Sequence, residues 1–187
     1  MQEEIKKALN VLYKGGLILY PTDTIWGIGC DATNEEAVKR IYEIKKREDS
    51  KSMLVLLDDA TRIPFYVDEM PEIAWDLIEV ADKPLTIIYP NAKNFAKNLI
   101  ANDKSIGIRI VNDKFCNDLI RKFKKPIVST SANFSGEKSP SIFSEITEEI
   151  KKSVDYIVNH KQNETKKSQA SQIIKLGIGG EIKIIRK

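Results

Sequence analysis

The sequence predicts an α/β domain built on a twisted, mixed β-sheet flanked by helices. Short apolar runs of strand length recur along the chain, at Leu17–Tyr20, Met53–Leu57, Pro84–Tyr89, Ile106–Val111 and Pro126–Ser129. Between them lie stretches with apolar residues at helical spacing, of which Ile5, Ala8, Leu9 and Leu12 are the clearest. Toward the end strands succeed one another directly, near 154–158, 172–176 and 182–186, and a purely doubly wound parallel sheet would not show that. With 187 residues, 42% of them hydrophobic and 30% charged, the chain is long enough to bury a core without disulfide or metal support. It is read as one domain spanning 1–187, with no internal repeat and no dividing linker.

Each element has a local reason. The first helix, over 3–14, ends at Gly15-Gly16. After the strand at Leu17, the stretch Pro21–Asp31 is rich in Thr, Asp and Gly and reads as a loop. Thr33 with Glu36 forms a capping box that opens a helix with Ala37, Ile41 and Ile44 on its apolar face. Residues 59–80 read as two short helices, the second starting at Pro71, and 91–104 as a loop-rich stretch. Helices follow at Phe115–Phe123 and Ser144–Lys152. Lys161–Gln169 is polar throughout and reads as a mobile loop.

Several function classes are excluded or disfavoured. No apolar run approaches the roughly 20 residues that span a bilayer, and the N-terminus MQEEIKKALN lacks the apolar region of a signal peptide. Cys30 and Cys116 have no CxxC spacing and read as reduced thiols. These features together predict a cytoplasmic, membrane-free protein. A net charge of +3 is too mild to argue nucleic-acid binding by itself. There is no GxxxxGK[ST], GxGxxG or HExxH pattern, and the single histidine, His160, has no triad context.

Chemistry instead concentrates in three polar segments. In Tyr20-Pro-Thr-Asp-Thr-Ile-Trp-Gly, two threonines flank an aspartate where Pro21 stiffens the chain and Gly27 allows close approach; an internal Asx or ST turn would use the same residues. Lys45-Lys46-Arg47 with Lys51 can converge on one anion, although cations also favour helix C-termini. That helix-end reading suits the cluster Arg121-Lys122 with Lys124-Lys125 better. Ser129-Thr-Ser-Ala-Asn-Phe-Ser-Gly136, with Ser139 close behind, offers hydroxyl and amide donors on one strand-to-loop turn. A site of Ser, Thr, Lys and Arg without His suits ligand positioning and phosphate neutralisation rather than acyl-enzyme chemistry.

Taken in order, these segments resemble the YrdC family. YPTDTIWG resembles its YPTDTxYG signature, KKREDSK its KxR segment with a downstream lysine, IGIRI its VxVRxP strand, and STSANFSG its TSANxSG turn. Ala170-Ser171-Gln172-Ile-Ile resembles its STxV segment, and Ile184-Ile-Arg186 its final strand.

The resemblance implies a deep basic cleft and synthesis of L-threonylcarbamoyl-AMP from L-threonine, bicarbonate and ATP, with pyrophosphate released. It further implies that the product passes to a tRNA-modifying transferase complex, and that Mg²⁺ rides on the triphosphate. Carried over by motif, Thr24, Arg109, Ser131 and Ser171 would contact L-threonine. Arg47, Lys51, Ser129, Ser139 and Arg186 would contact ATP, and Lys45 and Asn133 would complete the catalytic set with Arg47 and Ser131. Arg109 also stands out unaided, as an ion on an otherwise apolar strand that needs an anion, such as a substrate carboxylate.

The sequence departs from the family pattern at Trp26, Asp82-Lys83, Leu56, Gln172 and Val111. The rival readings are a non-catalytic module that binds tRNA or double-stranded RNA, and a carbamoyl-adenylate activity of the hydrogenase-maturation type. Weak tRNA or double-stranded RNA association through basic patches is compatible with the synthase reading.

If the cations at 45–51 serve the nucleotide, Arg47→Ala weakens ATP binding by about 1.5–3 kcal/mol, the loss of a charge-assisted contact. Calorimetric titration measures this, and an unchanged ATP affinity returns the cluster to a solvated helix end.

Overall fold

The computed structural model describes residues 1–46 and 53–187. Its strands are β1 (Ile18–Tyr20), β2 (Gly27–Gly29), β3 (Leu54–Leu57), β4 (Leu85–Tyr89), β5 (Ile106–Ile110), β6 (Ile127–Ser131), β7 (Tyr156–Ile157), β8 (Gln172–Leu176) and β9 (Ile182–Arg186). Among the described residues they form one sheet in the order β7-β1-β2-β6-β3-β5-β4-β8-β9. The β1–β7, β3–β5 and β4–β8 pairs are parallel and the others antiparallel, the mixed sheet expected. The helices are α1 (Gln2–Tyr13), α2 (Glu35–Lys45), α3 (Ile73–Glu79), α4 (Lys114–Phe123) and α5 (Glu148–Lys152). No helix among the described residues is long and apolar enough to cross a membrane.

Strand alternation divides the apolar residues into two cores, one on each face. On one face Ile18 and Tyr20 of β1, Leu56 of β3 and Ile127 of β6 pack with Ile5, Ala8 and Leu12 of α1 and Phe115, Leu119 and Phe123 of α4. On the other, Leu19, Val55, Leu57 and Val128 pack with Val38 and Ile41 of α2, and Ile87, Ile106 and Ile108 extend that core.

Residues directly opposite across neighbouring strands share a face. Leu56 pairs with Arg109, Arg109 with Thr86, and Thr86 with Ile173. The face that α1 and α4 cover at β1, β6 and β3 therefore continues across β5, β4 and β8, where it carries Gly107, Arg109 and Thr86 beside Ile88 and Ile173. That stretch is where the site lies.

Three local readings are corrected. The segment 21–31 is not wholly loop, because Gly27–Gly29 forms β2 between β1 and β6. A side chain at Gly29 would meet the Val128 carbonyl and the Tyr20 ring at 2.6 Å, so only glycine lets those strands approach. Asn34, not Thr33, caps α2 by accepting from the Ala37 N–H at 3.0 Å, while the Thr33 hydroxyl donates to Asp31. The strand expected to end at Ser129 runs through Ser131.

Both cysteines are free and fully buried. The His160 ring lies 5.6 Å from that of Phe115, a packing role. The cations at the end of α4 are held at the surface, with Lys125 on Asp31 and Lys122 on Gln2.

Asp113 caps α4, accepting from the Cys116 N–H at 3.0 Å, and its other oxygen accepts from Lys161 Nζ at 2.7 Å. Burial raises its pKa, yet these donors outweigh burial and the net shift is downward. A depressed folded pKa adds stability above the unfolded value of about 3.9 and loses it as pH falls through the folded one. Asp113→Ala is expected to cost about 1–2 kcal/mol, read from urea midpoints at neutral pH. Asp113→Asn keeps the cap, and its smaller deficit should vanish below the carboxylate range.

Candidate functional site

A cavity of about 270 Å³ lies over β3, β5, β4 and β8. Seven of the predicted site residues line it: Thr24, Arg109, Ser129, Ser131, Ser139, Ser171 and Arg186. They come from five separate parts of the chain, which the strand order brings together. Arg47 and Lys51 lie outside the described residues. Lys45 and Asn133 are buried behind the wall rather than on it.

Lys45 Nζ, at the end of α2, donates to the Ser131 carbonyl at 2.6 Å, to Asn133 Oδ1 at 3.2 Å and to Ser131 Oγ at 3.4 Å. Asn133 Nδ2 donates onward to the carbonyls of Phe134 and Glu137. An ammonium is a donor only. The Ser131 oxygen therefore accepts from behind, and its own proton remains for the cavity.

The threonine–aspartate loop realises both of its possible readings. The Thr22 hydroxyl donates to the Ile25 carbonyl at 2.8 Å and lies 2.9 Å from the Thr24 hydroxyl, closing an internal turn. That turn presents Thr24, Ile25 and Trp26 to the cavity. The Trp26 ring packs on Phe143 at 4.8 Å, so the departure from tyrosine is absorbed by an aromatic neighbour.

Asp23 points the other way and forms an ion pair with Arg109, and its second oxygen accepts from the Asn112 N–H at 3.1 Å. The anion that Arg109 needs is thus supplied by the chain itself. Its Nε is buried without an acceptor among the described residues.

On the far wall Arg186 Nε donates to the Ser171 carbonyl at 2.8 Å, and the Ser171 and Thr86 hydroxyls lie 2.8 Å apart. Burial, reinforced by the charge of Arg109, lowers the Arg186 pKa. Among the described residues, two guanidiniums, a set of hydroxyls and no carboxylate line the cavity. Such a wall binds anionic oxygens.

Asp23 as counter-ion and Thr86 as a wall residue were not anticipated. The signal for Thr86 was present, since it is the one polar residue in LTIIY, as Arg109 is in IGIRI. The departures at Asp82 and Lys83 face a second, larger cavity of about 540 Å³ on the opposite side of β4 and β5. Two of the carboxylates there, Asp23 and Asp58, already pair with Arg109 and Arg62, and that cavity gathers none of the predicted site residues. Leu56, at another departure, is buried in the α1–α4 core and not in the site.

The Sua5/YciO/YrdC family model, described as telomere recombination, matches residues 10–187. The chain belongs to this family. A Pseudoalteromonas translucida protein named threonylcarbamoyl-AMP synthase is 33% identical, the match covering 84% of this chain and 86% of that one. A doubly substituted P. abyssi Sua5 superposes on the whole of this chain with a TM-score of 0.89 at 26% identity, over 56% of its own length. P. abyssi Sua5 complexed with L-threonine matches 94% of this chain and 52% of its own, with a TM-score of 0.84 at 25% identity. The chain therefore spans about half the length of the Sua5 structures it matches. The mixed α/β fold read from the strand and helix pattern of this Sua5/YciO/YrdC protein is thus shared with the Sua5 structures.

Arg109 is only 2% exposed, so Asp23→Ala strands a buried charge. The loss is expected to be about 3–5 kcal/mol, read from denaturant unfolding of the ligand-free protein. A loss under about 1 kcal/mol would mean that water or another group meets the guanidinium.

Proposed function

We propose that this chain synthesises L-threonylcarbamoyl-AMP from L-threonine, bicarbonate and ATP with release of pyrophosphate, and that a separate tRNA-modifying transferase complex consumes the product. The observation that carries this reading is the gathering of seven motif residues around one cationic, hydroxyl-lined cavity. The names of the relatives agree with it, as does the threonine bound by P. abyssi Sua5. A purely RNA-binding surface would account for cations but not for a wall of inward hydroxyls.

In this reading Thr24, Arg109, Ser131 and Ser171 hold L-threonine, with the guanidinium toward its carboxylate. The amine attacks the carbon of CO₂ or bicarbonate, giving a carbamate and, from bicarbonate, water. A carbamate oxygen then attacks the α-phosphorus of ATP, and the bond to the bridging oxygen breaks with its electron pair leaving on pyrophosphate. Ser129, Ser139 and Arg186, with Arg47 and Lys51, stabilise the phosphate charge as it shifts. The protein forms no covalent intermediate. Lys45 and Asn133 act from behind, holding Ser131 so that its proton faces the reactants.

Among the described residues no three His, Cys, Asp or Glu side chains gather to hold a metal ion. A Mg²⁺ ion would be carried on the triphosphate with water ligands, and Ser129 and Ser139 are the hydroxyls that would meet its water shell. When bound, it supplies charge neutralisation. The reaction belongs in the cytoplasm, and any direct tRNA contact is weak and salt-sensitive.

Purified protein given ATP, Mg²⁺, bicarbonate and L-threonine should release pyrophosphate without tRNA. Modified nucleoside should appear only after a transferase is added. Strict tRNA dependence, or no threonine-dependent release at all, would overturn the reading.

A further inference from the structure

Thr86 belongs to no motif that carried the functional reading, yet it is 1% exposed and lines the cavity. It is the second residue of β4, directly opposite Arg109 of β5 on one side and Ile173 of β8 on the other. A β-carbon built on Gly107 would meet Thr86 Cγ2 at 3.4 Å. The methyl therefore rests over Gly107, and a β-branched side chain held this way keeps one rotamer. In that rotamer the hydroxyl reaches Ser171 Oγ at 2.8 Å.

A count of protons shows what this contact does. Two hydroxyls own two protons, and their mutual bond uses one. Arg186 N–H approaches Ser171 Oγ at 3.4 Å and can only donate, which occupies a lone pair and not a proton. If Thr86 donates to Ser171, the Ser171 proton is free; if Ser171 donates, the Thr86 proton is free. In both arrangements one O–H remains for a ligand, between the guanidiniums of Arg109 and Arg186. Neutral hydroxyls framed by two cations offer that proton to an anionic oxygen.

We infer that Thr86 is a positioning residue of the amino-acid subsite, holding Ser171 so that the hydroxyl pair donates one hydrogen bond to the carboxylate of the amino-acid substrate. This rests on the synthase reading above, and binding is measured separately from turnover for that reason. Thr86→Val keeps the shape and removes the hydroxyl, so the fold is retained while the Ser171 rotor is freed.

The experiment is calorimetric titration of L-threonine into wild type, Thr86→Val and Thr86→Ser, alongside pyrophosphate-release kinetics. Thr86→Val leaves Ser171 its own proton but removes the bond that orients it, so both Kd and KM for L-threonine should rise about tenfold with kcat little changed. Thr86→Ser should restore most of the affinity, which a purely structural role for the methyl would not allow. Wild-type binding in Thr86→Val, or a fall in kcat at unchanged KM, overturns the inference alone. Failure of the wild type to bind L-threonine overturns the synthase reading, and this inference with it.

Discussion

Arg109 carries a full charge within β5, with Leu56 across one neighbouring strand and Thr86 across the other. A guanidinium in that setting must meet an anion within the thickness of the sheet, because an unpaired buried charge would cost a large part of a domain's net margin of about 5–15 kcal/mol. The partner is Asp23, from the loop between β1 and β2. In the strand order β6 and β3 stand between β2 and β5, so the loop has to arch over both to deliver its carboxylate. The Asn112 N–H fixes the other oxygen of Asp23 and closes the arch onto the far end of β5. Thr24, Ile25 and Trp26 become the roof of the cavity as a consequence of that reach. One ion pair thus sets both the placement of the β1–β2 loop and the enclosure of the site.

The chemistry available follows from which side chains are absent from the wall. The sole histidine is packed against Phe115, and both thiols are buried, with pKa values raised by burial. What remains is hydroxyl donors backed by cations. Lys45 stands behind Ser131, and Arg186 beside Ser171. In both cases a group that can only donate occupies a serine lone pair and leaves a proton for the ligand. Repetition of this device on opposite walls suits a reaction in which positioning and stabilisation of negative oxygen supply the rate, with no nucleophile on the protein.

Much of this was legible in the sequence, and the limits have physical causes. Strands with a strong apolar signal, QIIKL and IKIIR, were bounded to the residue. β2 was missed because Gly-Ile-Gly has almost no strand propensity; it is a strand because the gap between β1 and β6 admits only glycine at Gly29. Arg109 was flagged by its charge on an apolar strand, but its partner lies 86 residues away, and no local pattern reports that separation. The motif residues were legible as a set. Their division into a wall of seven and a supporting pair, Lys45 and Asn133, depended on which face of β6 each one reaches, and Ser131 ends that strand two residues beyond the expected boundary.

The segment read as a mobile polar loop has a more definite task. It leaves β7 at one edge of the sheet and enters β8, eighth in the order. That is seven strand spacings, roughly 34 Å. Residues 158–171 must span this distance, and their fully extended reach is only about 46–50 Å. A crossing with so little slack cannot wander far from the sheet, whatever its composition. It is pinned by Lys161 on Asp113 at the start, by Lys167 on Glu145 midway, and by Ser171 under Arg186 at the end. Glu164, Lys166 and Ser168 border a small cavity together with the same Thr22–Trp26 loop that roofs the site. The polar character that suggests mobility is what a strap exposed on its outer side requires, and its length and anchors carry Ser171 across the sheet to Thr86.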